Sequence, residues 1–573
     1  MSFLGNSPLT PEQQQENDTP VKWNVILAVL GTLLVYAYLF THIADWANLP
    51  LPQDLAEKIG IETEDIFDSD HNVDSEMFIS STDEFSNDDE RLILFAIVAV
   101  AFLCSYFLPM RFKKASLFIS FLIGMGVLYG LRTTTCLLLA HWLVYLVLHI
   151  PKAAQKFAFG FLAGVLACIA FAEPGDSWFK NASLISAWGM AFCLFFNLLI
   201  WPVMLRFAVC AKVLRTLVIQ SALITVFIGA IWEGFQGEVW TLPLGVLLFF
   251  WHWERLMMYH VDYKSGRMPK EVSPISYLSV FLTPASLPNW KWGVTLGQGY
   301  TYLENNFYCV DKNRLAIEGL KIWGIALLYL VFNDVIRYGL VNLFQSYGIE
   351  VYNARITKMV SHYVSGDEVT TSSVLATTVL DQIRWMMLWG GSVHFKTGIW
   401  RVCGYQMDPY FNKPWMSTNL VTFWVRFTFH YREFLVRCFY YPTFFKYFKN
   451  NFVLRITLAT FAAVTIGNLV WGHMTEGMFY HGMYYSNFAE VLKTWPYFIL
   501  LTLGITVTEL YLFWRKPKRK PWTLDRYWAT DFFAMYCTIQ FYCIIHVFAK
   551  PSSGATLTDC AKLFLIGFGI HLD

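Results

Sequence analysis

The sequence predicts an all-α polytopic membrane protein, on three observations. Of its 573 residues 56% are hydrophobic and only 15% charged, with a mean hydropathy of +0.42. Soluble domains carry about a quarter charged residues. Many apolar runs approach the roughly 20 residues that a helix needs to cross a bilayer. These runs are solidly apolar rather than alternating, which argues against transmembrane strands. The formal net charge of +1 points to no class of partner, and nucleic-acid binding is not expected. The cysteines sit mostly in apolar runs, as at Cys104, Cys136, Cys168, Cys193 and Cys537, with no CxxC pair. They read as small core residues, so neither a metal site nor disulfides are expected.

Residues 1–22 form a polar tail. The run 23–40 lacks a basic leader and a small-residue cleavage site, so it reads as a retained helix. An acidic loop follows over 43–91, with Lys58 the one cation between Asp54 and Glu90. Within it Asp68, Asp70, Asn72, Asp74 and Glu76 recur at every second position, as in a calcium loop. Val73 and Ile79 stand where such a loop has its turn glycine and closing glutamate, so a solvated acidic loop is the reading. Apolar runs at 92–108, 116–131, 133–150, 157–172, 184–207, 216–232 and 240–251 complete an N-terminal set of spans over 23–250. Basic connections (Arg111 to Lys114, Lys152 to Lys156, Arg206 to Arg215) alternate with acidic ones (Glu173 to Asp176, Glu233 to Glu238). The positive-inside rule then places the N terminus in the cytoplasm and the acidic loop outside.

After Trp251 the apolar stretches shorten and are broken by charge and proline, as in "NKPWMSTNLVTFWVRFTFHYREFLVRCFYYP" from Asn412 to Pro442. Cleaner spans return at 322–343, 455–471, 497–514 and 529–548, and "RKPKRK" at 515–520 is a cytoplasmic anchor. Broken, charged backbone at membrane depth has to be buried in protein or line a water-filled cavity. A functional site is therefore expected in the segment 251–485, with 486–573 forming C-terminal spans.

The order of Asn412 and Pro414, then Phe423, Trp424 and Arg426, then Tyr440 and Pro442 resembles the membrane-bound O-acyltransferase family. The bacterial branch with alginate O-acetyltransferase and the teichoic-acid D-alanyl transfer protein is the closest in pattern. Upstream, "RLMMYHVDYKSGRMP" and "YLSVFLTPASLPN" resemble that family's arginine-tyrosine-glycine segment and Phe-x-x-Pro turn. Downstream, "GNLVWGHMTEGMFYHG" resembles its histidine-bearing helix and sets His473 on the motif histidine. Two departures stand out. The family's first histidine aligns with Thr428, with His430 two residues on, and Gly472 precedes His473 rather than following it. Two residues on a regular helix is about 200° of rotation.

The resemblance implies a bundle of tilted and broken helices around a central cavity or tunnel, with extra N-terminal spans. It implies transfer of an acyl group, acetyl by the nearest branch, from a cytoplasmic acyl-CoA-type thioester to a hydroxyl of a cell-envelope or secreted polysaccharide. It further implies an extracytoplasmic acyltransferase or esterase-like partner beside the membrane lipid, and a bacterial inner membrane as the location. His473 is the expected general base, since a neutral imidazole takes a proton near neutral pH. His430 is the second catalytic candidate, in a catalytic or a positioning role, and His481 reads as interfacial. Arg426, Trp424, Asn412, Thr428 and Arg437 make up the expected substrate-binding set. If the stretch is one helix, Arg426 and Arg437 share a face and Arg432 lies on another. Those cations either hold a donor's phosphates or snorkel to lipid headgroups. Glu433 is placed to pair with Arg437 at i,i+4. Trp424 also suits plain packing, and Asn412 and Ser417 suit satisfying broken backbone. Substitutions are expected to matter in the order His473, His430, Thr428. A non-catalytic scaffold of the same fold, and a transporter with a broken-helix binding site, are the alternatives.

Overall fold

The computed structural model describes residues 19–48, 88–124, 299–473, 494–515, 530–549 and 555–571, with short pieces of 258–278. Residues 49–87 of the acidic loop, the spans expected between 133 and 251, the anchor at 516–520 and His481 lie outside the described residues, and the ends expected for that loop, 43–48 and 88–91, are helical instead. The described residues are mostly helical and contain no strand, only an isolated bridge between Phe307 and Tyr405. Among the described residues two helices are long and apolar enough to cross a membrane, Lys312–Asn333 and Trp495–Arg515. Most of each lies outside the protein core. The chain groups into two compact units.

The first unit draws on Met1–Ile150, Trp251–Ile325 and Ser392–Asp408. Its first helix, α1 (Trp23–Asn48), buries Val25, Ile26, Val29, Leu33 and Tyr36, at spacings of three and four that make one stripe. Leu27, Leu34, Val35 and Tyr38 are equally apolar and exposed. A helix apolar all round suits a lipid surround better than water. It packs on α2 (Asp88–Phe107), which buries Val98, Ala101, Phe102 and Ser105. The chain is helical again over 110–124. The Tyr36 hydroxyl donates to the Trp323 carbonyl. The Trp323 indole, fully buried, donates to the Phe395 carbonyl at 2.9 Å. Gly398 makes room for that indole, since a Cβ there would stand 2.2 Å from its nitrogen. The turn after Val402 is held by Arg401, whose guanidinium donates twice to the Met407 carbonyl, at 2.9 and 2.7 Å. The short helix α3 (Tyr300–Asn306) carries Tyr302, whose hydroxyl donates to Asp408 at 2.8 Å. Burial first, and the Asp408 carboxylate second, push that phenol well above its ordinary range.

The second unit draws on Ala326–Gly391 and Pro409–Asp573. The helix expected over 322–343 is longer. It starts as α4 (Lys312–Asp334), widens into a π-helical stretch Val335–Leu340, and ends in α5 (Val341–Ser346). After α6 (Ile356–Val364) comes α7 (Thr371–Val402), unbroken over 32 residues. A core of Tyr329, Ile336, Val341, Val351, Ala354, Leu380 and Met387 joins these elements. Then follow α8 (Leu420–Arg426), α9 (Phe429–Leu435), a π stretch Val436–Tyr440, and α10 (Tyr441–Lys446). The span expected over 455–471 is α11 (Phe452–Thr460), continued by a 13-residue π stretch, Phe461–His473. The helix α12 (Trp495–Arg515) packs along both. Its contacts include polar ones: Thr465 and Thr502 share a hydrogen bond of 2.7 Å, and Thr460 donates to Glu509 at 2.9 Å. Helices in lipid commonly associate through such hydroxyl bonds and through small residues. Gly504 is one of the latter, lying against Leu420 and Phe541. The unit closes with α13 (Phe532–Ile544) and α14 (Leu557–Ile566), the latter started by a Thr556–Asp559 capping box.

Candidate functional site

The stretch from Pro409 to Lys446, in the second unit, is where most of the expected site residues fall. It is not one helix. Asn412 N–H donates to the Arg426 carbonyl at 2.8 Å, and Phe429 N–H donates to the Tyr410 carbonyl at 2.9 Å. In a continuous helix the Arg426 carbonyl would accept from His430 and the Phe429 N–H would reach Val425. The preceding loop takes over one member of each pair, so α8 ends at Arg426 and α9 starts at Phe429. Arg426 Nη1 returns to the loop and donates to the Met416 carbonyl at 3.0 Å. Asn419 caps α8 by accepting from Thr422 N–H at 2.9 Å. Thr428 sits at the break in the left-handed region, φ 48° and ψ 50°.

Because the helix breaks, the eleven-residue spacing between Arg426 and Arg437 does not set a common face. Arg426 belongs to α8 and is tied to the loop, whereas Arg437 lies in the π stretch beyond α9. Arg437 Nε stands 3.5 Å from Glu433 at i,i+4, as the spacing predicts. Arg432 pairs with the same carboxylate. Glu433 thus offsets part of the charge of both guanidiniums. The π stretch Val436–Tyr440 has a local cause, because Pro442 has no N–H to give to Cys438 and its ring crowds that carbonyl.

His430 is 2% exposed, with the Tyr410 ring 6.1 Å and the Phe429 ring 5.3 Å from its own. Thr428 is 3% exposed and Ser417 1%. Neither hydroxyl has a hydrogen-bond partner. Asn412 is exposed, and its contribution to the break is its backbone N–H. Trp424 is half-buried. The helix bearing His430 and the π stretch after it pack on the π stretch that ends at His473. At that contact Tyr431 hydroxyl donates to the Gly467 carbonyl at 3.3 Å, and a Cβ on Gly467 would meet Leu435 at 2.5 Å. His473 is the last residue of that stretch, and its side chain lies outside the described residues. The fold therefore brings Asn412, Arg426, Thr428 and His430 to one break, joins their helix to the element of His473, and turns Arg437 to Glu433.

Sequence reasoning passed over α7. Its N-terminal part carries a buried carboxylate, Asp381, which accepts from Gln382 Nε2 at 2.7 Å and from Ile356 N–H at 3.4 Å. Buried His394 and Lys396 lie further along the same helix. The signal was there, as Asp381, Arg384, His394 and Lys396 punctuate an aromatic run. A search for cleanly apolar spans skips such a helix.

Compared with models of known families and with curated proteins, the chain matches none.

Proposed function

We propose that the chain is a multi-pass membrane-bound O-acyltransferase of the bacterial inner membrane, with its N terminus in the cytoplasm. It takes an acyl group, acetyl by the motif resemblance, from a cytoplasmic acyl-CoA-type thioester. It passes it to a hydroxyl of an extracytoplasmic acceptor such as a cell-envelope or secreted polysaccharide, with an esterase-like partner outside. The observation that carries this reading is the packing of the helix bearing buried His430 against the stretch ending at His473. It puts the elements of both histidines side by side, within a motif order that resembles the family. The two candidate membrane helices and the apolar outer face of α1 support residence in a bilayer.

In this reading an imidazole takes the proton of the acceptor hydroxyl as its oxygen attacks the thioester carbonyl. The stretch 409–428 acts as the wall against which the donor's acyl end is held. Thr428 at the family's histidine position favours a second reading, a non-catalytic scaffold of the same fold. The test is acyl transfer by membranes that carry the full chain, supplied with radiolabelled acetyl-CoA. Label moving to envelope polysaccharide above the level of membranes without the chain supports the enzyme. Intact acetyl-CoA with the chain inserted overturns it in favour of the scaffold.

A further inference from the structure

Thr428 carries two anomalies at once. A β-branched residue at φ 48° is strained, because its Cβ crowds the following carbonyl. Its hydroxyl is buried and makes no hydrogen bond. A threonine just before a helix ordinarily earns its place by capping, in an extended conformation with its oxygen on a backbone N–H. Thr428 does neither. Strain of this kind persists where surrounding structure imposes it, and it clusters at functional sites. Here the bonds from Asn412 to Arg426 and from Phe429 to Tyr410 impose it from both sides.

We propose that the Thr428 hydroxyl is an oxyanion donor, a catalytic group that hydrogen-bonds the acyl carbonyl oxygen as it becomes negative. This rests on the acyl-transfer reading above and deepens it. In the step, the acceptor's hydroxyl oxygen bonds to the thioester carbonyl carbon while an imidazole removes the hydroxyl proton. The carbonyl π pair moves onto oxygen, where the Thr428 O–H donates to it. Collapse re-forms the C=O bond and breaks C–S, and the sulfur leaves as a free thiol with the proton from the imidazolium. Thr428 keeps its own proton throughout. The preorganised, strained placement serves this role, because a donor already held in a water-poor position needs no reorganisation as charge develops. Threonine at this position is then a donor that supplements the base, not a lost base. That raises it above the rank its sequence position implies.

The experiment uses membranes carrying the full chain, with radiolabelled acetyl-CoA as the probe and envelope polysaccharide as acceptor. Thr428→Val keeps shape and removes the hydroxyl, and should lower kcat by about 10²-fold with KM for acetyl-CoA unchanged. Thr428→Ser keeps the hydroxyl and should keep most of the rate. Thr428→Gly relieves the left-handed strain, so it should raise the thermal midpoint while losing as much rate as the valine variant. A merely structural threonine would gain stability from glycine and lose no rate. Valine or glycine at the wild-type kcat, or serine as slow as valine, overturns the proposal. Should the valine variant fail to accumulate, the glycine and serine pair decides alone. A wild-type chain that transfers nothing overturns the acyl-transfer reading itself, and this proposal with it.

Discussion

The unbroken helix α7 and the broken stretch from Pro409 to Lys446 both place polar side chains among aromatic rings, and they satisfy them in opposite ways. In α7 the backbone bonds run within the helix between its ends, and Asp381 finds donors in the Gln382 side chain and in Ile356 N–H of the neighbouring helix, while the Phe395 carbonyl also accepts from the Trp323 indole. In the broken stretch the backbone itself is released. Arg426 takes the Met416 carbonyl, and Arg455 takes the Phe444 carbonyl at 2.6 Å while lying over that residue's ring. Buried hydroxyls without a hydrogen-bond partner occur in both regions, Thr377 in α7 and Ser417 and Thr428 in the broken stretch. The two regions differ in the backbone: the continuous helix uses its carbonyls chiefly for its own turns, and the broken stretch gives them to cations and to a neighbouring loop.

The largest effect that tests this contrast lies at the end of the element packed on the broken stretch. His473→Ala should slow acyl transfer by about 10²- to 10⁴-fold, the usual loss on removing a general base. His473→Gln should be as slow, and both variants should elute as the wild type does on size exclusion in detergent. Glutamine at near-normal rate would move the base to His430. Next comes α7, where Asp381→Ala should lower stability by about 1–3 kcal/mol, because it strands buried donors. A thermal melt in detergent reads this, and an unchanged midpoint would mean that the bonds to Asp381 are not what holds the helix. Arg426→Met should cost about 1 kcal/mol, since its bond to Met416 is partly solvated. A loss as large as that of Asp381→Ala would erase the difference between the two regions. Glu433→Gln should cost the least, about 0.5 kcal/mol, as expected for a half-buried pair with Arg437.

Much of this was legible in the sequence where the pattern was extreme. The apolar runs that become α1, α2, α12 and α13 could hardly be anything but helix. The charges and prolines between Asn412 and Pro442 marked a break. Its position was not legible, because Asn412 N–H captures the Arg426 carbonyl from across a loop, and no local propensity encodes that capture. The shared face of Arg426 and Arg437 failed for the same reason, whereas the pairing of Glu433 with Arg437 survived because it spans a single turn. The left-handed Thr428 was also invisible, since a β-branched residue is among the last that sequence rules would place there. Helix α7 was passed over because its buried charges dilute the apolar signal. Ser417, expected to serve broken backbone, instead keeps its hydroxyl unbonded.

The π-helical run from Phe461 to His473 has a consequence for how such a chain is able to change. Each of its turns bonds residue i to i+5 and so holds more residues than an α-turn. Deleting a single residue between Phe461 and Gly472 would let one loop of the spiral close to ordinary pitch, with α11 before it undisturbed. The bearing of position 473 would barely change, because one residue fewer, each then turning about 100°, spans the same turn. The run works as slack in a spring: descent with a one-letter loss or gain there is taken up in the pitch without rebuilding the walls around it. Spacing along this segment is thus a poor ruler for matching distant relatives.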